Sequence, residues 1–178
     1  MRITSLHRRV FGSLCAIAAA IFFINSCGRN QPAVVDPASL QSAGAEAALR
    51  YMIEQCPKRG EAELAVIVLG DEFAKPAPEF VERMRTVPKL TFIDHNRAVW
   101  GNVGGRVLRY DEKTGKPVLD LKVSSMSEEK NGVQEASVAW AWREEGESYR
   151  LEMKKKPDGG YDIRELEKTA LKSPSAKE

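Results

Sequence analysis

Histidine, cysteine and paired acids are the side chains that most often carry acid–base, nucleophilic or zinc chemistry, and this chain of 178 residues has few of them. There are two histidines, His7 and His95, and three cysteines, Cys15, Cys27 and Cys56. One histidine in the body of the chain excludes a multi-histidine zinc centre and leaves one candidate for a histidine-dependent triad. Its neighbour Asp94 cannot orient it directly on an extended strand, because adjacent residues there point to opposite faces. A surface or loop histidine is the preferred reading. Asp71 and Glu72 follow the apolar run Leu64–Leu69, the position where ligands gather in parallel α/β sheets. Solvated loop acids are the simpler interpretation. Gly101-Asn102-Val103-Gly104-Gly105-Arg106 has the glycine content of a phosphate loop, yet lacks both the Gly-Lys-Ser/Thr ending and a following helix, so it reads as a loop. Trp140 and Trp142 alternate along one strand, with Tyr149 on the next. Three large rings on one sheet face fill a core, or else line a pocket for an apolar ligand. Core is the preferred assignment. Neither a metal nor a cofactor is expected, and no catalytic constellation is visible.

The amino terminus carries the most specific pattern. Arg2, Arg8 and Arg9 stand without an acid, Val10–Ile24 is apolar or small throughout, and Asn25, Ser26 and Cys27 follow. This is the form of an export signal. The apolar run is 15 residues long, where a spanning helix needs about 20. Ile24-Asn25-Ser26-Cys27 resembles the lipobox of bacterial lipoproteins. The resemblance covers the first 27 residues and implies removal of residues 1–26, a diacylglyceryl thioether on Cys27 and subsequent N-acylation. Each buried CH₂ of such an anchor contributes about 0.8 kcal/mol. Gly28, where an aspartate often marks inner-membrane retention, favours the outer membrane in a two-membrane cell. Arg8-Arg9-Val10-Phe11 is similar to a twin-arginine export core, but the flanking His7 and Gly12 favour the general secretory route. The resemblance therefore implies a cell-envelope protein whose partners are the membrane, through the lipid, and an envelope protein.

Processing changes the arithmetic. Cys15 leaves with the signal and Cys27 is the lipid site, so Cys56 remains as the single thiol, without a disulfide partner. A small apolar role in the core fits it best. The full chain has 27 Lys+Arg against 25 Asp+Glu; without the three leader arginines the balance is −1. No positive field remains to recruit nucleic acid. The dense run Lys154-Lys155-Lys156 lies beside Pro157-Asp158-Gly159-Gly160 and reads as a solvated hairpin tip.

The remaining elements must position these residues. Residues 28–35 read as a polar linker. Asp36-Pro37 reads as a helix start, with the helix running to Cys56 and burying Leu49, Met52, Ile53 and Cys56. Leu64–Leu69 predicts a strand buried on both faces. Glu79–Thr86 predicts a short helix with Phe80, Met84 and Val87 inward, and Leu90–Asp94 and Arg97–Trp100 two further strands. Strands follow at 106–110, 117–125, 135–143, 148–154 and 160–166, separated by turn signals at 111–116, Asn131-Gly132, Glu144–Glu147 with Gly146, and 157–160. The fold class is therefore α+β: an N-terminal helix and a short second helix packed on a curved, mainly antiparallel sheet, one domain over 36–167, and a disordered tail over 168–178. The element order resembles the cystatin-like and nuclear-transport-factor-like folds, with the strand at Leu64–Leu69 as a departure. FAKPAPEF (73–80), YDEKTGK (110–116) and the stretch 136–151 are similar to a group of small bacterial exported proteins that carry no functional assignment. Function is accordingly read as a noncatalytic, membrane-tethered interaction or accessory module. A small-molecule or lipid-binding module built on Trp140, Trp142 and Tyr149 is the alternative, and an enzyme using Asp71, Glu72 and His95 is third.

Overall fold

The computed structural model describes residues 38–103 and 106–172. The expected signal, Cys27, the expected linker and helix start at Asp36-Pro37, Gly104-Gly105 and residues 173–178 lie outside the described residues. The fold is α+β. A 3₁₀ turn at Ser39–Gln41 leads into α1 (Ala43–Gln55), followed by β1 (Leu64–Leu69), α2 (Pro78–Met84), β2 (Thr91–Phe92), β3 (Ala98–Val103), β4 (Arg106–Asp111), β5 (Val118–Met126), β6 (Val133–Trp142), β7 (Glu145–Lys155) and β8 (Tyr161–Lys172). Six strands form one sheet in the order β2-β1-β5-β6-β7-β8, and β3 and β4 form a separate two-stranded ribbon.

Helix α1 begins at Ala43, later than the Asp36-Pro37 signal suggests. Ser42 caps it, its hydroxyl accepting from the Ala45 N–H at 3.2 Å; a serine at this position satisfies one of the orphan donors of the first turn. Ala45, Ala48, Leu49, Met52 and Ile53 are completely buried, with Cys56 just beyond them. Each large side chain so buried contributes about 1.5–3 kcal/mol. Helix α2 is tied to α1 by Arg83, whose Nε donates to Glu46 at 2.7 Å. Phe80, Met84 and Val87 turn inward as the pattern predicts.

The sheet is mixed. β1 pairs in parallel with both β2 and β5, while β5 to β8 form an antiparallel meander. Placing β1 inside the sheet departs from a cystatin-like order, and its physical basis is composition: LAVIVL has no polar face to offer solvent, so it needs a strand on each side and a cover on each face. Ala65, Ile67 and Leu69 face α1 together with Leu119, Leu121, Val123, Trp140, Tyr149 and Leu151. Val66 faces the other way, packing with Ile93, Ala98 and Val118.

Three further local expectations are corrected. The strand expected over Leu90–Asp94 is two residues, because Asp94 caps a 3₁₀ turn at His95–Arg97 by accepting from the Asn96 N–H at 2.9 Å. Gly146, read as part of a turn, is a strand residue opposite Ala141; a Cβ there would approach the Trp140 carbonyl oxygen to 2.7 Å. Close backbone approach, not turn geometry, explains that glycine. Residues 168–172, expected to be tail, are strand instead, since β8 pairs with β7 through Lys172. The Asn131-Gly132 turn holds, both residues having positive φ (55° and 77°), as a type I′ hairpin requires. The lysine tip at 154–156 is exposed as expected.

Candidate functional site

The ribbon gathers most of the fold's unusual side chains. β3 and β4 pair antiparallel with Trp100 opposite Arg109, and among the described residues the outer edge of β3 has no strand partner. Trp100 is 59% exposed and stands out among the described residues as the exposed large hydrophobic side chain. Its ring lies over Arg109, whose guanidinium carbon is 6.0 Å from the centroid. Gly101 lets the neighbouring Tyr110 ring close down on the strand, because a Cβ would meet that ring at 2.6 Å.

The root of the ribbon is held by charge. Arg97 donates twice to Asp111, at 2.9 and 2.7 Å, and Thr114 Oγ1 donates to the same carboxylate at 2.7 Å. The Arg97 hydrogen bonds hold the Asp111 carboxyl down to about 2. Arg109, 6% exposed, donates from Nε to the Ala98 carbonyl at 3.0 Å and from Nη1 to Asp120 at 2.8 Å. Burial pushes the Asp120 carboxyl up to about 6 even against that cation. Such an ion pair gives little net stability, but losing one partner is costly. Arg109 Nη2 lies 3.3 Å from His95 Nε2. A guanidinium only donates, so this nitrogen is the acceptor and the ring proton is on Nδ1. Burial, then Arg109, pulls the His95 pKa down. A histidine whose lone pair is taken by an arginine is a structural acceptor and not a poised base.

The other residues singled out in the sequence are not brought together as a catalytic set. Asp71 is exposed and accepts from Lys122 Nζ at 2.9 Å, and that buried lysine also lies 5.0 Å from the Phe73 ring centroid. Glu72 is exposed in the same turn. Gly101, Asn102 and Val103 lie on β3 and Arg106 on β4, so the described residues of the glycine-rich segment, expected as a loop, are paired strand. Among the described residues no group of three or more His, Cys, Asp or Glu side chains is arranged to hold a metal ion.

Trp140, Trp142 and Tyr149 are 2, 5 and 2% exposed and belong to the main core. Glu147 penetrates this layer and accepts from Trp140 Nε1 at 3.1 Å, from the Tyr149 hydroxyl at 2.5 Å and from Lys168 at 3.0 Å. Burial raises its carboxyl, but the three donors together outweigh burial and hold it below the usual range. Trp142 Nε1 is buried without a hydrogen-bond partner among the described residues. A cleft of about 180 Å³ lies between α2, β1 and β2, and another of about 360 Å³ lies beside α1 and β8; neither is lined by these three rings. Cys56 is buried, and burial pushes its thiol pKa up. Cys27 lies outside the described residues.

Trp100, Arg109, Asp111, Asp120 and Lys122 escape a reading of the sequence. Asp120 and Lys122 alternate with Leu119, Leu121 and Val123, the pattern of a half-solvated strand. The signal that something covers them is in β1: its second apolar face needs a lid, and the ribbon supplies it. The chain matches no protein-family model, no curated protein and no solved structure. Among the described residues no helix is long and apolar enough to cross a membrane.

Proposed function

We propose that this protein is a noncatalytic interaction module of the bacterial cell envelope, tethered to a membrane through lipid on Cys27 and docking an envelope protein through the β3–β4 ribbon. The observation that carries the docking is Trp100: a tryptophan 59% exposed, on an unpaired strand edge, over a guanidinium fixed from below. Tryptophan and arginine are the side chains that most often dominate binding energy at protein interfaces. An unpaired strand edge adds main-chain hydrogen bonds to a partner strand. The tether rests on the charge, apolar length and cysteine of residues 1–27. Chemistry has less support, since His95 is engaged by Arg109 and Asp71 by Lys122. A pocket for a small apolar molecule on Trp140, Trp142 and Tyr149 is likewise the weaker reading, because the three rings are packed into the core.

Native electrophoresis of membranes from the producing cell tests the docking. The wild-type chain is expected in a complex with a second polypeptide, and Trp100→Ser is expected to release it while leaving the fold intact by circular dichroism. An unchanged complex in Trp100→Ser would count against the ribbon as the docking face.

A further inference from the structure

Among the described residues the outer edge of β8 has no strand partner, and the strand is 12 residues long. Exposed edges of this length are normally guarded by charge. On β8 the guard is unusual in its order. Asp162 pairs with Lys156, Arg164 with Glu152, Glu167 with Arg150 and Lys168 with Glu147, all within the chain. Glu165 is exposed and makes no ion pair among the described residues.

A bulge organises the strand. The β7 register passes from Glu165 opposite Leu151 to Glu167 opposite Arg150, leaving Leu166 as the extra residue. Tyr161, Ile163 and Glu165 therefore share a face with Lys168 and Ala170, since these lie opposite Lys155, Met153, Leu151, Tyr149 and Glu147, alternate residues of β7. Turning a second β8 antiparallel about an axis between Leu166 and Glu167 sets Glu165 opposite Lys168 of the second copy, and Lys168 opposite its Glu165. Ile163 then meets Ala170. The same register aligns Tyr161 with Lys172, so the two strands pair with faces matched on either side of the bulge at Leu166.

We propose that β8 is a self-association edge, through which two copies of this chain join their six-stranded sheets about a two-fold axis at Leu166–Glu167. The proposal stands on the fold and is independent of the anchor. Lys168, half-exposed beside Glu147, is placed to bridge Glu147 and the second copy's Glu165. The cleft of about 360 Å³ along this edge, between Tyr51 and Arg50 of α1 and Tyr161 and Ile163 of β8, leaves apolar surface beside the seam. The 170–172 end of the second strand lies alongside it in this register. An isologous contact of this kind closes at two copies and leaves no further edge on that side.

Sedimentation equilibrium of the full chain in density-matched detergent tests the proposal. The wild type is expected to be a reversible dimer. Glu165→Lys places like charges directly across the seam twice, which destabilises strand pairing, and is expected to weaken the dimer about tenfold. Lys168→Glu does the same with acids. Mixing the two variants restores both opposite-charge pairs, so the heterodimer is expected to be tighter than either homodimer. Glu165→Gln, which leaves the Lys168–Glu147 contact in place, guards against a Lys168→Glu chain that fails to fold and is expected to weaken the dimer several-fold. A chain that stays monomeric at every soluble concentration, or a dimer indifferent to Glu165→Lys and Glu165→Gln, overturns the proposal.

Discussion

Replacing Trp140 with alanine separates a core from a pocket. The ring is 2% exposed, opposite Leu121 on β5 and Glu147 on β7. Burying an indole removes about 150–250 Å² from water, and at about 25 cal/mol per Å² this amounts to roughly 4–6 kcal/mol. The alanine methyl and partial collapse of the cavity recover some of that, so the expected loss is about 3–5 kcal/mol. Glu147 also loses one of its three donors. Trp140→Phe isolates this part, keeping a ring but removing the N–H, and about 1–2 kcal/mol is expected from it. Urea unfolding of the full chain, followed by far-ultraviolet circular dichroism, measures both. A cost under about 1 kcal/mol for Trp140→Ala, or saturable binding of an apolar dye at Trp140 in the wild type, would mark a ligand cavity in place of a core.

Other expectations follow from the same contacts. Trp100→Phe should remove most of the iodide-quenchable tryptophan emission and shift the remainder to the blue, because Trp140 and Trp142 are buried; unchanged quenching would place the exposed indole elsewhere. The two ribbon carboxylates should act oppositely with pH. Asp111 has a depressed pKa, so its stabilisation is present above its unfolded value and is lost as pH falls from about 4 toward about 2. Asp120 has a raised pKa, so the native state holds a proton that the unfolded chain releases, and stability falls as pH rises from about 4 to about 6. Asp111→Asn should flatten the first limb and Asp120→Asn the second in denaturation curves recorded across that range. Cys56 should react slowly with a thiol reagent until denaturant is added, and rapid native labelling would contradict the burial of the helix end that carries it.

Much of this fold is legible in the chain because its elements obey simple periods. Leu49, Met52 and Ile53 mark the buried face of α1, Leu64–Leu69 marks a strand with no solvent face, and Trp140 and Trp142 mark the core face of β6. What local pattern does not carry is partnership. Nothing in LAVIVL says that β5 will lie parallel to it, since that pairing joins residues more than fifty positions apart. The ribbon escaped for the same reason. Arg109 and Asp120 look like ordinary surface charges until β4 folds over β5 and puts one on the other. Gly146 shows the opposite failure, a residue with a strong turn preference used for close backbone approach inside a strand. Trp100 reads as one more apolar strand residue, and its exposure follows from the ribbon standing apart from the main sheet.

The central claim, docking through the ribbon, is tested most directly by placing a photo-crosslinking amino acid at position 100 of the full chain and irradiating intact producing cells. A discrete adduct with an envelope protein is expected from position 100, and none with that protein from position 113, which is exposed in the turn after β4. No adduct from position 100, or the same adduct from both positions, would contradict it.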